Sequence, residues 1–361
     1  MSLLQETCGA ITGRSLKIEQ HIFNNWNAES PVELYGRLVD VVAQYGAATN
    51  QEQVTVPKPC MIIASADHGV ADMGVSAYPK ETTVGMTQNY LIPKGAGANS
   101  LANYCGAQME VIDMGIDADM SWVPGLRSHK LGMGTKNFVE EPAMTREQAV
   151  EGIETGIRLV KEKIDEGFNV FLVGEMGISN TTASALMTAK FAGLTAEEAT
   201  GRGTNISDER LKLKQRIVHD VLEKYKDIPK DDAIGILSSV GGFEFACIVG
   251  VILGAAANHG LVIIDGFNTS ACALVAKTLA PKAMDSACAL VAKTLAPKAM
   301  DYVMASHLSA EKAAKSSLEN LGLEAYVDLG LCLGEASGGS IQMGMLDLAV
   351  HMYMAITGGN K

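Results

Sequence analysis

Val170-Phe171-Leu172-Val173-Gly174-Glu175-Met176-Gly177-Ile178-Ser179-Asn180-Thr181-Thr182 decides the fold. A short run with no polar residue stops at a carboxylate, then turns through Gly, Ser, Asn and Thr into a helical pattern. Strands apolar on both sides belong to sheets covered on both faces, whereas half-exposed strands alternate. The same grammar recurs at Met61–Ala64 before Ser65-Ala66-Asp67-His68-Gly69, at Val111-Ile112-Asp113-Met114-Gly115, and at Leu261-Val262-Ile263-Ile264-Asp265-Gly266. Helical patterns over Glu81–Tyr104, Arg146–Glu166, Thr181–Phe191 and Glu244–Asn258 lie between them. Strands alternating with helices predict a parallel α/β sheet. In such sheets ligands bind beyond the carboxyl ends of the strands, where Asp67, Glu175 and Asp265 fall.

A second acid stands in a similar setting. Leu329–Ser340 places Glu335 between Gly334 and Ala336-Ser337-Gly338-Gly339-Ser340, directly before an apolar helix over Ile341–Ile356. Taken alone, this stretch reads first as a Gly-rich helix start with a solvated Glu. Gly174–Thr182 likewise reads as an ordinary strand-to-helix turn with an Asn/Thr cap. Two acid-plus-Gly turns in one chain strengthen the functional reading: a general base beside backbone amides that attract an anion. Tyr326–Leu333, before Glu335, is apolar and fits either a strand or a helix.

The rest of the chain narrows the function. Its 361 residues are 47% hydrophobic and 19% charged, enough for a substantial core. Aromatics are scarce at 5% and glycines number 37, which suits an α/β enzyme. A net charge of −12 argues against nucleic acid and anionic membranes, and requires a local positive site for any anionic substrate. The best such site is Gly201-Arg202-Gly203-Thr204-Asn205 followed by Arg210, Lys212, Lys214 and Arg216; Lys214 suits a phosphate, although most of these cations read as a solvated helix face. Seven cysteines without a Cys-x-x-Cys signal neither zinc nor a disulfide framework. No signal peptide or membrane span is read, so a cytoplasmic protein is expected. Asp67-His68 reads as a hydrogen-bonded structural pair, and a Ser/His hydrolase at Ser306-His307 is discounted for want of a Gly-x-Ser-x-Gly elbow. Helices are predicted over Leu16–Trp26 and Val32–Tyr45, with Ser30-Pro31 as cap and first turn.

Residues 270–285 recur identically at 286–301. An exact copy is a recent duplication or a sequence artefact, since structural repeats drift. The fold needs one copy, each reading as an amphipathic helix ending near Pro281 or Pro297.

Together these motifs resemble the nicotinate-nucleotide–dimethylbenzimidazole phosphoribosyltransferases of cobamide biosynthesis. The landmarks are Ala66-Asp67-His68-Gly69-Val70, Val111–Asp117, Gly174–Thr182, Val240-Gly241-Gly242-Phe243, Asp265-Gly266-Phe267, Ser306–Lys312 and Leu333–Gly338, in order once one repeat copy is removed. The resemblance implies a Rossmann-like parallel sheet with helices on both faces, plus a smaller helical domain from the chain ends: residues 1–56 and 321–361 around a large domain, 57–320. It implies transfer of phosphoribose from nicotinate mononucleotide to a lower-ligand base without cofactor or metal, by a homodimer or a heterodimer of related chains. Glu335 would be the general base and Glu175 a second acid near the ribose. Gly177, Ser179, Asn180, Thr181, Gly203, Lys214, Ser309 and Gly334 would hold phosphate and ribose. The chain departs from the family at Tyr78, Met86 and Cys332, where Ser, Gln and Arg are common, and in Glu29–Leu38. Tyr78 and Met86 make the base pocket more apolar, which suits phenol or p-cresol as well as a benzimidazole. A catalytically weak paralogue supporting an active partner is the alternative.

Overall fold

The computed structural model describes residues 1–280 and 298–358. Six strands form one parallel sheet: β1 (Pro59–Ala66), β2 (Gln108–Gly115), β3 (Arg127–Ser128), β4 (Val170–Met176), β5 (Leu261–Ile264) and β6 (Val303–Met304), ordered β3-β2-β1-β4-β5-β6. The four predicted strands are β1, β2, β4 and β5. The edge strands β3 and β6 are two residues long and leave no periodicity to read. The chain begins at the centre, winds outward through β2 and β3, and returns to lay β4 against the other side of β1. That reversal opens a crevice beyond the carboxyl ends of β1 and β4.

Every residue of β1, β4 and β5 is buried, so both faces are covered. The helix Phe243–Ala257, buried along its whole length, crosses β1, β2, β4 and β5. It packs closely on Arg146–Asp165: a Cβ on Gly250 would stand 1.9 Å from the Ile153 carbonyl oxygen, and one on Gly156 2.0 Å from that of Cys247. The helix Ser337–Thr357 lies against β4 and β5, on the side bearing Leu172 and Gly174. It also packs with Leu16–Glu29 and Arg37–Ala48 from the start of the chain. There Trp26 is fully buried between Tyr35 and Tyr353, with ring centroids 5.0 and 5.6 Å away. The apolar core runs from these terminal helices into the sheet without a break.

Two helical predictions need correction, and the open reading of Tyr326–Leu333 is resolved. Val32–Tyr45 is broken at Gly36 (φ +50) into a 3-10 turn Val32–Leu34 and the helix Arg37–Ala48. Ser30 closes the preceding helix instead of capping a new one. Glu81–Tyr104 divides into Thr82–Leu91 and Gly97–Tyr104, because Pro93 cannot continue a helix and Lys94 is left-handed (φ +53). Tyr326–Leu333 is not helical: Val327 bridges to His307, and Ala310 N–H donates to the Leu331 carbonyl. Residues 270–279 of the first repeat copy lie in the helix Phe267–Leu279, while the helix predicted over the second copy lies outside the described residues. Among the described residues no helix is long and apolar enough to cross a membrane.

Candidate active site

A cavity of about 700 Å³ opens at the crevice. Of the residues singled out from sequence, Glu175, Gly177, Asn180, Thr181, Gly203, Ser309, Gly334 and Glu335 line it, with Tyr78 and Met86 on its wall. Ser179 and Lys214 line a small recess that shares Gly177, Asn180, Thr181 and Thr204 with the cavity.

Glu175 arrives on β4, paired with Ala64 of β1. Its Oε1 accepts from Asn268 Nδ2 at 2.9 Å, and its Oε2 from Asn180 Nδ2. Asn268 is held in turn by Ser184 Oγ at 2.7 Å. Burial pushes the Glu175 carboxyl up to about 7, with the two amides opposing and Glu244 and Asp265 adding to the rise. At Gly177 the turn passes so close to β1 that a Cβ would lie 2.5 Å from the Ala66 carbonyl oxygen. Ser179 takes φ +77 to launch the next helix.

Glu335 sits in a backbone that L-residues avoid. Gly334, Glu335 and Ala336 have φ of +80, +58 and +59, two of them non-glycine. A Cβ on Gly334 would be 3.0 Å from Glu175 Oε1, so the loop bearing one acid rests on the other. Burial raises Glu335 above the usual carboxylate range, while the buried Tyr90 hydroxyl that faces it pulls the other way. The helix after it is anchored from within. Asp265 Oδ1 accepts from Gly338 N at 2.6 Å and Gly339 N at 3.3 Å, with His307 Nδ1 4.0 Å away. The amides of Gly338 and Gly339, expected to meet a substrate anion, are therefore taken by the protein's own carboxylate.

Positive charge comes from Lys214, on the helix Asp208–Lys224. It is only 1% exposed, its Nζ donates to Thr181 Oγ1 at 2.8 Å, and among the described residues it makes no ion pair. Burial pulls it down to about 8. Gly203 (φ +54) sits over it. Arg202 points away toward Ile206 and Asp208.

Asp67 and His68 are structural, but through separate partners. Asp67 Oδ2 accepts from Asp117 N at 2.8 Å, and His68 Nε2 pairs with Glu244 Oε1 at 2.7 Å in full burial. Sequence reasoning missed Tyr90, Asn268 and Glu311 as site residues. Asn268 could have been found, since it lies just past the end of β5. Tyr90 could not, because it sits within an apolar helical pattern and reads as core. Among the described residues no group of three or more His, Cys, Asp or Glu is placed to hold a metal.

The fold and the cavity are those of a phosphoribosyltransferase: a family model of that description matches residues 17–286 and 283–359, two stretches that meet inside the repeat. A nicotinate-nucleotide–dimethylbenzimidazole phosphoribosyltransferase of Geobacter sulfurreducens is 41% identical over 326 residues, 90% of this chain and 88% of that one. The protein of that name from Chloroflexus aggregans is 40% identical over 88% of this chain and 85% of its own. The crystal structure of CobT from Thermus thermophilus superposes with a TM-score of 0.84 at 32% identity, over 93% of this chain and 96% of that one. This chain belongs to the nicotinate-nucleotide–dimethylbenzimidazole phosphoribosyltransferase family.

Proposed function

We propose that this protein transfers phosphoribose from nicotinate mononucleotide to a lower-ligand base, releasing nicotinate and giving the α-riboside 5'-phosphate used in cobamide assembly. The observation that carries the reading is that the two acids line one cavity, with the loop bearing Glu335 resting on Glu175. The loop that carries Glu335 comes so close to Glu175 that a Cβ on Gly334 would stand 3.0 Å from its Oε1, and both carboxyls are raised by burial. Carboxyls raised by burial in a cavity suit proton transfer.

In this reading the phosphate lies by Lys214, Gly203, Ser309 and Thr181, with the ribose along Gly177, Ser179, Asn180 and Gly334. The incoming base packs by Met86, Tyr78 and Leu333. Glu335 takes the proton from the base N–H or O–H as its lone pair attacks the anomeric carbon opposite nicotinate. The C–N bond to nicotinate breaks with its electrons passing to the pyridinium ring, so nicotinate leaves without needing a proton. Configuration at the anomeric carbon inverts to α. Ionised Glu175 faces the positive charge that develops on the ribose. Met86 and the half-exposed Tyr78 offer an azole few polar partners, which supports phenol or p-cresol as acceptors beside dimethylbenzimidazole.

The test is nicotinate release from nicotinate mononucleotide with each base in turn. Turnover should require a base, and Glu335→Gln should lower kcat by about 10²–10⁴-fold while nucleotide binding persists. Nucleotide binding without turnover for any base would mark a partner subunit instead, and turnover confined to benzimidazoles would remove the phenolic reading.

A further inference from the structure

A carboxylate lines the end of the cavity where an anion is expected. Glu311 sits on the segment after Ser309, and its own amide donates to Ser309 Oγ at 3.3 Å. Its Oε2 is buried without a hydrogen-bond partner, and would stand 2.0 Å from a Cβ on Gly201. That places it against the Gly201–Gly203 loop, where Lys214 Nζ lies 3.4 Å from the corresponding point on Gly203. Burial raises Glu311, and the two influences holding it down are the Lys214 ammonium and the Gly203 amide. Conversely, Glu311 is the charged group that holds Lys214 up. The other charges near it are turned elsewhere: Arg202 toward Asp208, and Lys312 to the Glu197 carbonyl. A buried lysine and a half-buried glutamate thus compensate one another at a glycine loop.

A bound phosphate dianion alters that balance. It satisfies Lys214 better than Glu311 does, and it meets Glu311 as a like charge in a partly desolvated site. Resting on the reading that this end of the cavity takes the phosphate, we propose that Glu311 is an internal counter-ion: it keeps Lys214 charged in the empty site and, by repulsion, loosens the bound phosphate so that the phosphate-bearing product leaves.

Calorimetry with inorganic phosphate and with nicotinate mononucleotide at pH 7 tests this on the full chain. Glu311→Gln should bind both more tightly, on the order of tenfold. The gap should narrow as the pH falls, because burial raises Glu311 and its protonation removes the charge that the variant lacks. Without phosphate the variant should melt below the wild type, and with saturating phosphate that deficit should close. Glu311→Asp, which keeps the charge, should stay near the wild type. Equal or weaker phosphate binding by Glu311→Gln at pH 7 overturns the proposal. Lys214→Met separates the two readings. If it binds phosphate as the wild type does, the phosphate assignment itself fails; if it loses binding while Glu311→Gln gains none, only the counter-ion fails.

Discussion

At the scale of single residues the site is a set of ionisable groups displaced by burial, and this fixes a pH profile. Glu175 is raised to about 7, so it is protonated below that pH and ionised above it. Lys214 is lowered to about 8, so it loses its charge above that pH. If ionised Glu175 and charged Lys214 are both required, kcat/KM for the nucleotide rises as pH climbs through about 7 and falls beyond about 8. Lys214→Arg, whose guanidinium stays charged, should remove the alkaline limb and leave the acid limb in place. A profile flat from pH 6 to 9 would sink both assignments. The sequence exposed the acids because each follows an apolar run and a glycine turn. It hid Tyr90, whose role comes only from where separate elements converge.

Among the elements, the interface between Arg146–Asp165 and Phe243–Ala257 is the tightest, since Gly156 and Gly250 leave backbone facing backbone. Gly250→Ala forces these helices apart and should destabilise the protein by at least about 2 kcal/mol, read as a lower denaturant or thermal midpoint. An unchanged midpoint would mean that the helices separate freely. Both helices were legible from their long apolar periodicity, as were the four long strands. What sequence could not supply were the breaks. Gly36 and Pro93 interrupt patterns that otherwise read as continuous, and β3 and β6 are too short to alternate. The glycines after Glu335 do open a helix whose amides take an anion, but that anion is Asp265, just past the end of β5 and 73 residues away in the chain.

For the molecule as a whole, the duplication is the open variable. The helix Phe267–Leu279 and the turn Lys298–Tyr302 pack on one another, with Ala299, Met300 and Tyr302 buried, so the start of the first copy and the end of the second both belong to the core. Removing residues 286–301 restores a single copy and should leave the melting midpoint and nicotinate release at or above those of the full chain. Loss of folding on deletion would show that the second copy has become structural. A different kind of freedom resides in the loop that carries the acid. Leu331 is tied by its carbonyl to Ala310 N–H, Gly330 N–H donates to Asp328 Oδ1 at 3.2 Å, and Gly334 accepts from Ser337 N–H. These ties use the backbone of residues 330–334, while Cys332 and Leu333 stand exposed on the cavity rim. Under the proposed function, descendants of such a chain can exchange these rim side chains without moving Glu335, so the taste in acceptors can drift while the chemistry is inherited intact.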